Sequence, residues 1–516
     1  MSNTWLMAVD AGTGSVRAVI FDKDGAQKGC VQREWKHLED PRFPGSMDFD
    51  WNTNWGLVCA CVSGVLEETG IAAAEIAAVS TTCMREGIIL YDAAGGEIWA
   101  CANVDARSND ETGELKALDR NLEKEIYHLS GQTFALGALP RLLWVKNKMP
   151  DLYKRTARVG MFNDWIIYRL SGILAVEPSN GSTTGIFNLR SRNWDTGIAR
   201  RCGLREDIFP PVTECGTAVA KVSARGASES GLLQGTPLVS GGGDSQLGCV
   251  GLGVTAPDEA AVLGGSFWQY EYNTGEAKTS GRCDIRVNCH AIDGVWQYEA
   301  IAFNPGLVMR WYRDAFCQEE KRDAENPYEI MDREAAKIPA GSFGIFCAFS
   351  DVMNYISWRH AAPTFGNFTL SSGQSNKYSF YRAIMENAAL VTRGHLELVE
   401  RAAGKRPKKV IFAGGAAKSA LWAQILCDVL GVPVQTPVVK EATALGAALL
   451  AGTGIGLYPD IKTAARLVKM ETEFVPDGER RRIYRDAYEK WRVFYAAQLE
   501  LSGKKITAPM WSAPGL

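Results

Sequence analysis

The sequence predicts an α/β protein with two domains of similar size and a cleft between them. A length of 516 residues allows two or three domains, because a domain usually has about 100–200 residues. Short apolar strands that end in glycine-rich loops alternate with amphipathic helical segments, which is typical of α/β architecture. A strand, a glycine loop and a second strand open the chain, and a similar unit returns roughly 250 residues later.

The first half of the chain contains several short strands and one clear helix. Apolar runs before turn or glycine signals predict the strands, and apolar residues at helical spacing predict the helix. The predicted elements are strands at 5–9 and 16–21, a hairpin turn at 24–25 that leads to a third strand, a helix over 55–66 that stops at Gly70, and strands at 76–79 and 237–240. The last strand is expected to open onto a glycine loop at 241–243.

The second half repeats this pattern. Its predicted elements are strands at 260–263, 269–272 and 409–412 and a helix over 421–430. Gly431 and Pro433 end that helix. A linker-like turn near 253–258 predicts a boundary between domains of residues 1–254 and 255–516.

Composition and charge exclude several classes of protein. The 56 basic and 59 acidic residues give a net charge of −3, without the basic surplus of a nucleic-acid binder. The 13 cysteines cannot all pair and show no Cys-x-x-Cys spacing, which indicates reduced cytosolic thiols. The start of the sequence leads us to expect no leader, and the uncharged stretch over 442–459 is glycine-rich and unlike a membrane span. We expect a cytoplasmic protein with no nucleic-acid or membrane partner.

Glycine is over-represented, since 52 of 516 residues is about 10% where about 7% is usual. The common glycine motifs do not account for this excess. Ala417 replaces the glycine that a P-loop requires before Lys-Ser, and the loop at 12–17 lacks the third glycine of the dinucleotide fingerprint. Ser266 is followed by Phe-Trp and not by the glycine of a hydrolase elbow.

Three glycine loops remain, each at the carboxyl end of a predicted strand, where open α/β sheets bind ligands. Residues 10–15 (Asp-Ala-Gly-Thr-Gly-Ser) offer turn amides and two hydroxyls for phosphate oxygens, and residues 264–266 (Gly-Gly-Ser) repeat this chemistry. Residues 414–416 (Gly-Gly-Ala) precede a helix and give bare backbone on which a base can lie. A tight structural turn is the alternative for any one loop, but the three together favour a nucleotide site.

Charged residues also stand at strand ends. Asp10 lies next to the first loop, where it is suited to hold Mg²⁺ through water, and Asp244 is suited to accept a proton from a substrate hydroxyl. Arg85 and Glu86 could together hold a polyol by charged hydrogen bonds. The alternatives are a turn or helix cap for each aspartate and a surface ion pair for Arg85 and Glu86.

Together these motifs resemble the FGGY carbohydrate kinases of the hexokinase and actin superfamily. Residues 10–15 are similar to the first phosphate loop of that family, Gly243–Asp244 to the segment of its catalytic aspartate, and Gly265–Ser266 to its second phosphate loop. Further similar segments are Gly306 with residues 311–314, residues 414–424 and residues 441–448. The resemblance runs from Asp10 to about Gly454 and implies two actin/ribonuclease H-like domains around a nucleotide and substrate cleft.

The resemblance also implies roles for single residues. Asp244 would be the catalytic base, and Asp10 with Asp244 would hold Mg²⁺ through water. The residues implied to bind ATP are Asp10, Gly12, Thr13, Gly14, Ser15, Arg17, Gly265, Ser266, Gly306, Arg310, Gly414, Gly415, Ala416 and Ser419. The residues implied to bind the acceptor are Met84, Arg85, Glu86, Asp105, Asp244 and Gln246.

The acceptor is expected to be a small polyol or diketone. Xylulose kinases typically carry Gln-Met-His-Gly where residues 83–87 are Cys-Met-Arg-Glu-Gly, and Arg85–Glu86 is similar to the pair of glycerol kinases. The segments 45–49, 99–107, 241–249, 263–269 and 513–516 most resemble family members that phosphorylate the terminal hydroxyl of linear, hydrated 4,5-dihydroxypentane-2,3-dione, a quorum-sensing signal. That similarity departs at 302–305.

Two alternatives stay open. One keeps the kinase chemistry but acts on a pentulose or glycerol. The other is an actin- or chaperone-like ATP switch, which gives no role to Arg85–Glu86. The sequence also leaves open a monomer or a homodimer. A regulatory phosphocarrier protein is conceivable because sugar uptake and signal uptake are linked, but no motif indicates one.

Overall fold

The computed structural model describes residues 4–514. The start of the chain at residues 1–3, on which the expected absence of a leader depends, lies outside the described residues. So do the last two residues of the 513–516 segment. No helix within residues 4–514 combines the length and the apolar character that crossing a membrane requires.

The first sheet contains the predicted N-terminal strands. Its strands are β1 (Trp5–Ala11), β2 (Ser15–Asp22), β3 (Gln27–Glu34), β4 (Ile76–Cys83), β5 (Ala218–Lys221) and β6 (Pro237–Gly243), in the order β5-β6-β4-β1-β2-β3. β1, β2 and β3 form an antiparallel meander, while β4 runs parallel to β1 and β6 runs parallel to β4. All seven residues of β1 are buried, because helices cover both faces of the sheet.

The second sheet repeats this topology. Its strands are β7 (Ala260–Gly264), β8 (Trp268–Thr274), β9 (Arg286–Cys289), β10 (Trp296–Ile301), β11 (Val410–Ala413), β12 (Val434–Pro437) and β13 (Met470–Phe474), in the order β9-β10-β8-β7-β11-β12-β13. β7, β8 and β10 are antiparallel neighbours, and β11 and β12 run parallel to β7. The prediction of two related α/β halves is therefore confirmed.

The helices of eight or more residues among residues 4–514 pack on these sheets or extend from them. They are α1 (Trp51–Thr69), α2 (Asn109–Leu118), α3 (Leu122–Ser130), α4 (Ala138–Lys148), α5 (Phe162–Ser171), α6 (Asp244–Gly251), α7 (Pro305–Phe316), α8 (Pro327–Ala335), α9 (Lys377–Ala403), α10 (Ala420–Leu430), α11 (Ala442–Gly454) and α12 (Gly478–Gly503).

Shorter elements connect these parts. The short helices are Pro150–Arg155, Pro178–Gly181, Thr196–Arg201, Ala224–Ser230, Gln318–Asp323 and Ile461–Ala465, with 3₁₀ turns at Ala73–Glu75, Ser182–Thr184, Ser342–Gly344, Tyr355–Ser357 and Gly415–Lys418. The short strands are Ile88–Tyr91, Glu97–Cys101, Arg158–Gly160, Phe187–Asn188, Asn193–Trp194, Phe346–Ala348, Arg359–His360, Thr364–Gly366 and Trp511–Ser512.

Helix α1 is longer than the predicted 55–66. The Asp50 side chain accepts hydrogen bonds from the backbone amides of Asn52 and Thr53, so the helix begins one turn earlier. Gly70 adopts the left-handed conformation with φ +69° and ends the helix at the predicted residue. The apolar pattern located the helix but missed its cap.

The predicted glycine loop at 241–243 is wrong. These glycines continue β6, and the chain turns only where α6 begins at Asp244. A Cβ atom on Gly241 would lie 1.5 Å from the carbonyl oxygen of Thr81 on β4, so glycine allows the two strands to approach. The glycine-rich segment therefore brings Asp244 to the end of a buried strand.

Helix α11 lies between the two halves of the molecule. Its apolar residues pack with Leu6, Ala8 and Val19 of the first sheet, although the helix follows the second sheet in the chain. A Cβ atom on Gly446 would lie 1.9 Å from the carbonyl oxygen of Leu247, so α11 and α6 contact each other backbone to backbone. The division at 254/255 stays a prediction, and the first core also uses residues far beyond it.

The cysteines form no disulfides. All 13 are free thiols, and ten of them are buried. This agrees with the interpretation of the cysteines as buried thiols and not as cross-links.

Candidate active site

Side chains that were not predicted from the sequence to belong to the site support the loop between β1 and β2. The Trp35 Nε1–H donates to the carbonyl oxygens of Gly12 and Thr13 at 3.0 and 3.1 Å. His37 Nε2 donates to the same oxygen of Thr13 at 2.6 Å, and burial lowers the pKa of this imidazole, which keeps it neutral. The Thr13 hydroxyl accepts from Asn103 Nδ2 at 3.0 Å. With its carbonyls bonded inward, the loop has amides free for an anion.

Asp10, Arg17 and Glu441 form a charged cluster beside this loop. Asp10 and Arg17 are partners in register on β1 and β2, with Arg17 Nε 3.5 Å from Asp10 Oδ2. Arg17 also forms an ion pair with Glu441, which precedes α11. Burial raises the pKa of Asp10 to about 6, and Asp244 and Glu441 contribute to the rise while Arg17 opposes it. Glu441 was predicted only as part of a packing helix.

Asp244 is the first residue of α6. Its Oδ1 accepts from the Ser245 amide at 2.8 Å and from Arg85 Nε at 3.0 Å. The side chain is 38% exposed, which leaves the carboxylate accessible to solvent. Burial by the surrounding protein raises the pKa of Asp244, whereas Arg85 lowers it and Glu86 raises it further. The carboxylate is therefore held in one orientation with one face open.

Asp10 and Asp244 suit a magnesium ion that also contacts phosphate. Within residues 4–514 there is no group of three or more His, Cys, Asp or Glu residues that could hold a metal by themselves. The two carboxylates are close enough for Asp244 to raise the pKa of Asp10. Mg²⁺ in phosphoryl-transfer sites usually takes one or two carboxylates, with phosphate and water as its other ligands. The donor set fits such an ion.

Arg85 and Glu86 are buried and are paired with residues of the second sheet. Arg85 donates to both carboxylate oxygens of Glu299, from Nη1 at 2.5 Å and Nη2 at 2.6 Å. Arg286 Nη2 donates to Glu86 Oε1 at 2.5 Å. Glu86 has φ +65°, and its carbonyl oxygen accepts from Arg141 Nη1 at 2.6 Å. The alternative of a surface ion pair between Arg85 and Glu86 is not what the structure shows, since both residues are buried and each is paired with a residue of the second sheet.

The remaining predicted acceptor residues are more deeply placed. Met84 is completely buried in the first core. Asp105 accepts from Arg107 Nε at 2.8 Å and from the Met47 amide at 2.7 Å, and its side chain is buried. Gln246 is buried with Nε2 donating to Gln297 at 2.9 Å, while its Oε1 has no hydrogen-bond partner. Among these three, only Gln246 has an unused polar atom.

A cavity of about 790 Å³ lies at the end of the second sheet. Of the predicted nucleotide residues, Gly265, Ser266, Gly306, Arg310, Gly415, Ala416 and Ser419 line it. Its other lining residues are Gly264, Met309, Arg313, Asn326, Tyr328, Glu329, Asp332, Tyr381, Lys418 and Trp422. The spacing of residues 306, 309, 310 and 313 on α7 is the signal that could have identified this face of the helix.

Gly306 lines this cavity, whereas Gly414, which was also predicted to bind the nucleotide, precedes the lining residue Gly415 and does not line it. A Cβ atom on Gly306 would lie 2.0 Å from the carbonyl oxygen of Gly265, so the start of α7 packs directly on the loop after β7. Gly414 has φ +92°, a conformation that L side chains rarely adopt. Gly12, Thr13, Gly14, Ser15, Arg17 and Asp10 belong to the first sheet and lie outside the lining of this cavity.

Comparison with known families classifies the chain. The model of the FGGY family of carbohydrate kinases, N-terminal domain, matches residues 5–251, and the model of its C-terminal domain matches residues 282–455. The chain therefore belongs to the FGGY family of carbohydrate kinases.

Within this family, the chain is similar along its whole length to particular kinases. It is 50% identical to the autoinducer-2 kinase of Enterobacter sp. (strain 638), over 99% of this chain and 98% of that protein. It is also 50% identical to the autoinducer-2 kinase of Yersinia enterocolitica, over 100% of this chain and 98% of that protein. The fold matches the crystal structure of xylulose kinase from Rhodospirillum rubrum with a TM-score of 0.84 at 22% identity, over 96% of this chain and 99% of that one.

Proposed function

We propose that this chain is an ATP-dependent kinase of autoinducer-2. It transfers the γ-phosphoryl group of ATP to the terminal hydroxyl of linear 4,5-dihydroxypentane-2,3-dione and gives the 5-phosphate. The observation that carries the choice of acceptor is the 50% identity to autoinducer-2 kinases from end to end. The arrangement of Asp244 supports the type of chemistry.

Asp244 is proposed as the general base. It lies at the end of a buried strand with its carboxylate open to the cleft, and Arg85 Nε fixes its orientation. It accepts the proton of the acceptor hydroxyl as the oxygen attacks the γ-phosphorus in line. Positioning of the two substrates supplies most of the acceleration in such reactions, since there is little covalent chemistry for the protein.

The nucleotide is proposed to extend from the 790 Å³ cavity towards the first phosphate loop. Gly414, Gly415, Ala416 and Ser419 border the base and ribose, and Gly306 and Arg310 lie beside them. The phosphates lie between Gly265–Ser266 of one domain and residues 12–15 of the other. Arg17 supplies a positive charge beside them. Mg²⁺ held by Asp10 and Asp244 through water would neutralise phosphate charge.

Arg85, Glu86, Asp105 and Gln246 are proposed to shape the acceptor site. Arg85 and Glu86 keep part of their hydrogen-bonding capacity after their pairing with the second sheet. Met84 lies in the core beneath them and has no open side-chain surface. The protein is proposed to work in the cytoplasm, as a monomer or homodimer, and a phosphocarrier protein is a candidate regulator.

An acceptor panel tests this function. ADP release is followed in a coupled assay with dihydroxypentanedione, xylulose, ribulose or glycerol, each at the same concentration. We expect the highest kcat/KM with dihydroxypentanedione. If turnover is strongest on xylulose, the chain is a kinase but its acceptor is a pentulose and not dihydroxypentanedione. If ATP is hydrolysed slowly and no acceptor changes the rate, the chain is an ATP switch.

A further inference from the structure

Two buried ion pairs connect the candidate acceptor residues to the opposite domain. Arg85 on the first domain contacts Glu299 through both terminal nitrogens, and Glu86 accepts from Arg286 at 2.5 Å. Arg286 and Glu299 are partners in register on β9 and β10, and Arg286 Nη1 lies 3.6 Å from Glu299 Oε2. The four side chains therefore form a closed set, two from each domain, which we call the interdomain ring.

The ring is buried and held from outside. None of its four residues is more than 8% exposed. Asn288 Nδ2 donates to Glu299 Oε2 at 2.7 Å, and Arg286 Nε donates to Gln132 Oε1 at 2.7 Å. Tyr355 donates to the same oxygen of Gln132 at 2.9 Å. Partners on several elements thus fix each side chain, which is the arrangement that orients functional groups in active sites.

The ring determines where Arg85 points. A guanidinium has five donors in a rigid fork, and Glu299 takes one from each terminal nitrogen. With those two nitrogens fixed, the Nε–H can only point to one side, and there it donates to Asp244 at 3.0 Å. Glu299 is thus the residue of the second sheet that binds both terminal nitrogens of Arg85 and selects this orientation.

We propose that Glu299 and Arg286 are positioning residues of the acceptor site, supplied by the second domain. Glu299 holds Arg85 and, through it, Asp244, while Arg286 holds Glu86. The acceptor site is then complete only when the two domains lie together. This inference rests on the proposed kinase function, and it goes beyond the motifs at 83–87 and 243–246, which lie on the first domain.

Glu271 provides a matched control. It is paired in register with Glu299 on the neighbouring strand β8, is equally buried, and neither of its carboxylate oxygens has a hydrogen-bond partner. Burial raises the pKa of Glu271 well above its usual range, with Glu299 adding to the rise. Glu271→Gln is nearly isosteric and breaks no hydrogen bond of the ring, whereas Glu299→Gln removes the charge that the ring requires.

The experiment compares wild type, Glu299→Gln, Glu271→Gln and Asn288→Ala. For each we measure kcat, the KM for ATP and the KM for the acceptor that the wild type uses best, and acceptor binding without ATP by calorimetry. Glu299→Gln is expected to raise the acceptor KM and Kd by about tenfold or more and to lower kcat, with the KM for ATP within about twofold. Asn288→Ala should shift the same quantities by about threefold, and Glu271→Gln by less than about twofold.

Two results would overturn the proposal. One is an acceptor KM and Kd in Glu299→Gln equal to those in Glu271→Gln. The other is a parallel rise in the KM for ATP, which indicates general damage to the cleft. Should Glu299→Gln fail to fold, Asn288→Ala decides, because it keeps all four charges of the ring. A wild type that binds an acceptor without phosphorylating it removes the proposed function, and the calorimetry still tests the ring; a wild type that binds none of the acceptors overturns both.

Discussion

The two loops that were predicted to bind phosphate occupy the same position in two sheets of the same topology, yet they are built differently. The first loop follows β1, which carries Asp10 near its end, and is held by Trp35 and His37 from outside. The second follows β7, where Leu263 and Gly264 stand at the strand end and no carboxylate is present in β7. It is shaped by backbone contact with Gly306.

This difference indicates that the two halves contribute different groups to the site. Asp10, Arg17 and Asp244 place charged groups close to the first loop, while the loop after β7 borders a cavity of about 790 Å³. A duplicated fold can keep its topology while its two copies contribute different groups to one site. Substitution of Asp244 should therefore lower turnover most, and substitutions that move the loop after β7 should mainly weaken the binding of ATP.

Asp244→Asn should have the largest effect on turnover and tests the proposed general base. Asparagine keeps an oxygen that accepts from Ser245 but cannot take the proton, so kcat should fall by about 10² or more. The Kd for ATP, measured by calorimetry, should change by less than about twofold. Turnover like that of the wild type would remove Asp244 from the mechanism.

Gly306→Ala tests the shape of the second loop. The added Cβ meets the Gly265 carbonyl oxygen at 2.0 Å, and since that oxygen belongs to the backbone and Cβ is fixed to Cα, the loop or the start of α7 must move. We expect the KM for ATP to rise by about tenfold with kcat less affected. Gly478→Ala is the control, because its Cβ would have no atom within 4 Å. Equal kinetics of the two variants would contradict this role of α7.

Trp35→Phe tests the support of the first loop. Phenylalanine fills most of the same space but loses the hydrogen bonds to Gly12 and Thr13. A lost hydrogen bond costs about 1 kcal/mol, so we expect kcat/KM for ATP to fall about fivefold. Trp55→Phe loses one hydrogen bond, to Glu229, and none to the loop, and should lower only the melting temperature. If both variants lower kcat/KM equally, the support is not specific to the loop.

Asp351→Asn contrasts a structural acid of the second half with Asp10. Burial raises the pKa of Asp351 to about 7, with the Val352 amide and Arg492 opposing the rise. A folded-state pKa above the unfolded value favours folding at low pH, and that stability is lost as pH rises from about 4 to about 7. The amide keeps an oxygen that accepts from Val352 but cannot ionise.

The free energy of unfolding, measured with urea, should therefore fall less between pH 5 and pH 8 in Asp351→Asn than in wild type. The difference should be about 1 kcal/mol or more, and kcat should not change. An unchanged slope against pH would show that Asp351 does not ionise in this range. Asp10, by contrast, should affect turnover.

Patterns of neighbouring residues predicted individual strands and helices. The strands around residues 10–15 and the helix ending at Gly431 follow from apolar runs and stop signals. The positions of Asp10 and Asp244 could be predicted because both stand at strand ends, although the glycines before Asp244 were predicted as a loop. Strand pairing that depends on a close backbone approach leaves no signal in a hydrophobic pattern.

The partners of Arg85 and Glu86 could not be predicted. Glu299 and Arg286 lie 214 and 200 residues away in sequence, on strands whose other residues gave no reason to expect buried charges. Single carboxylates and guanidiniums are usually exposed, and only the meeting of both domains makes their burial tolerable. The packing of α11 on the first sheet could not be predicted either, because an apolar helix has no polar face that would indicate which side is buried and against what.

The position of α11 has a consequence for how the protein is made. Leu6, Ala8 and Val19 are synthesised first, yet the helix that covers them ends at Gly454. A ribosome that adds about 5–20 residues per second needs on the order of 10–40 s to travel the roughly 200 residues from the end of the first half to that point. During that time one apolar face of the nascent first domain lacks its cover, and this interval is when a chaperone would be needed most.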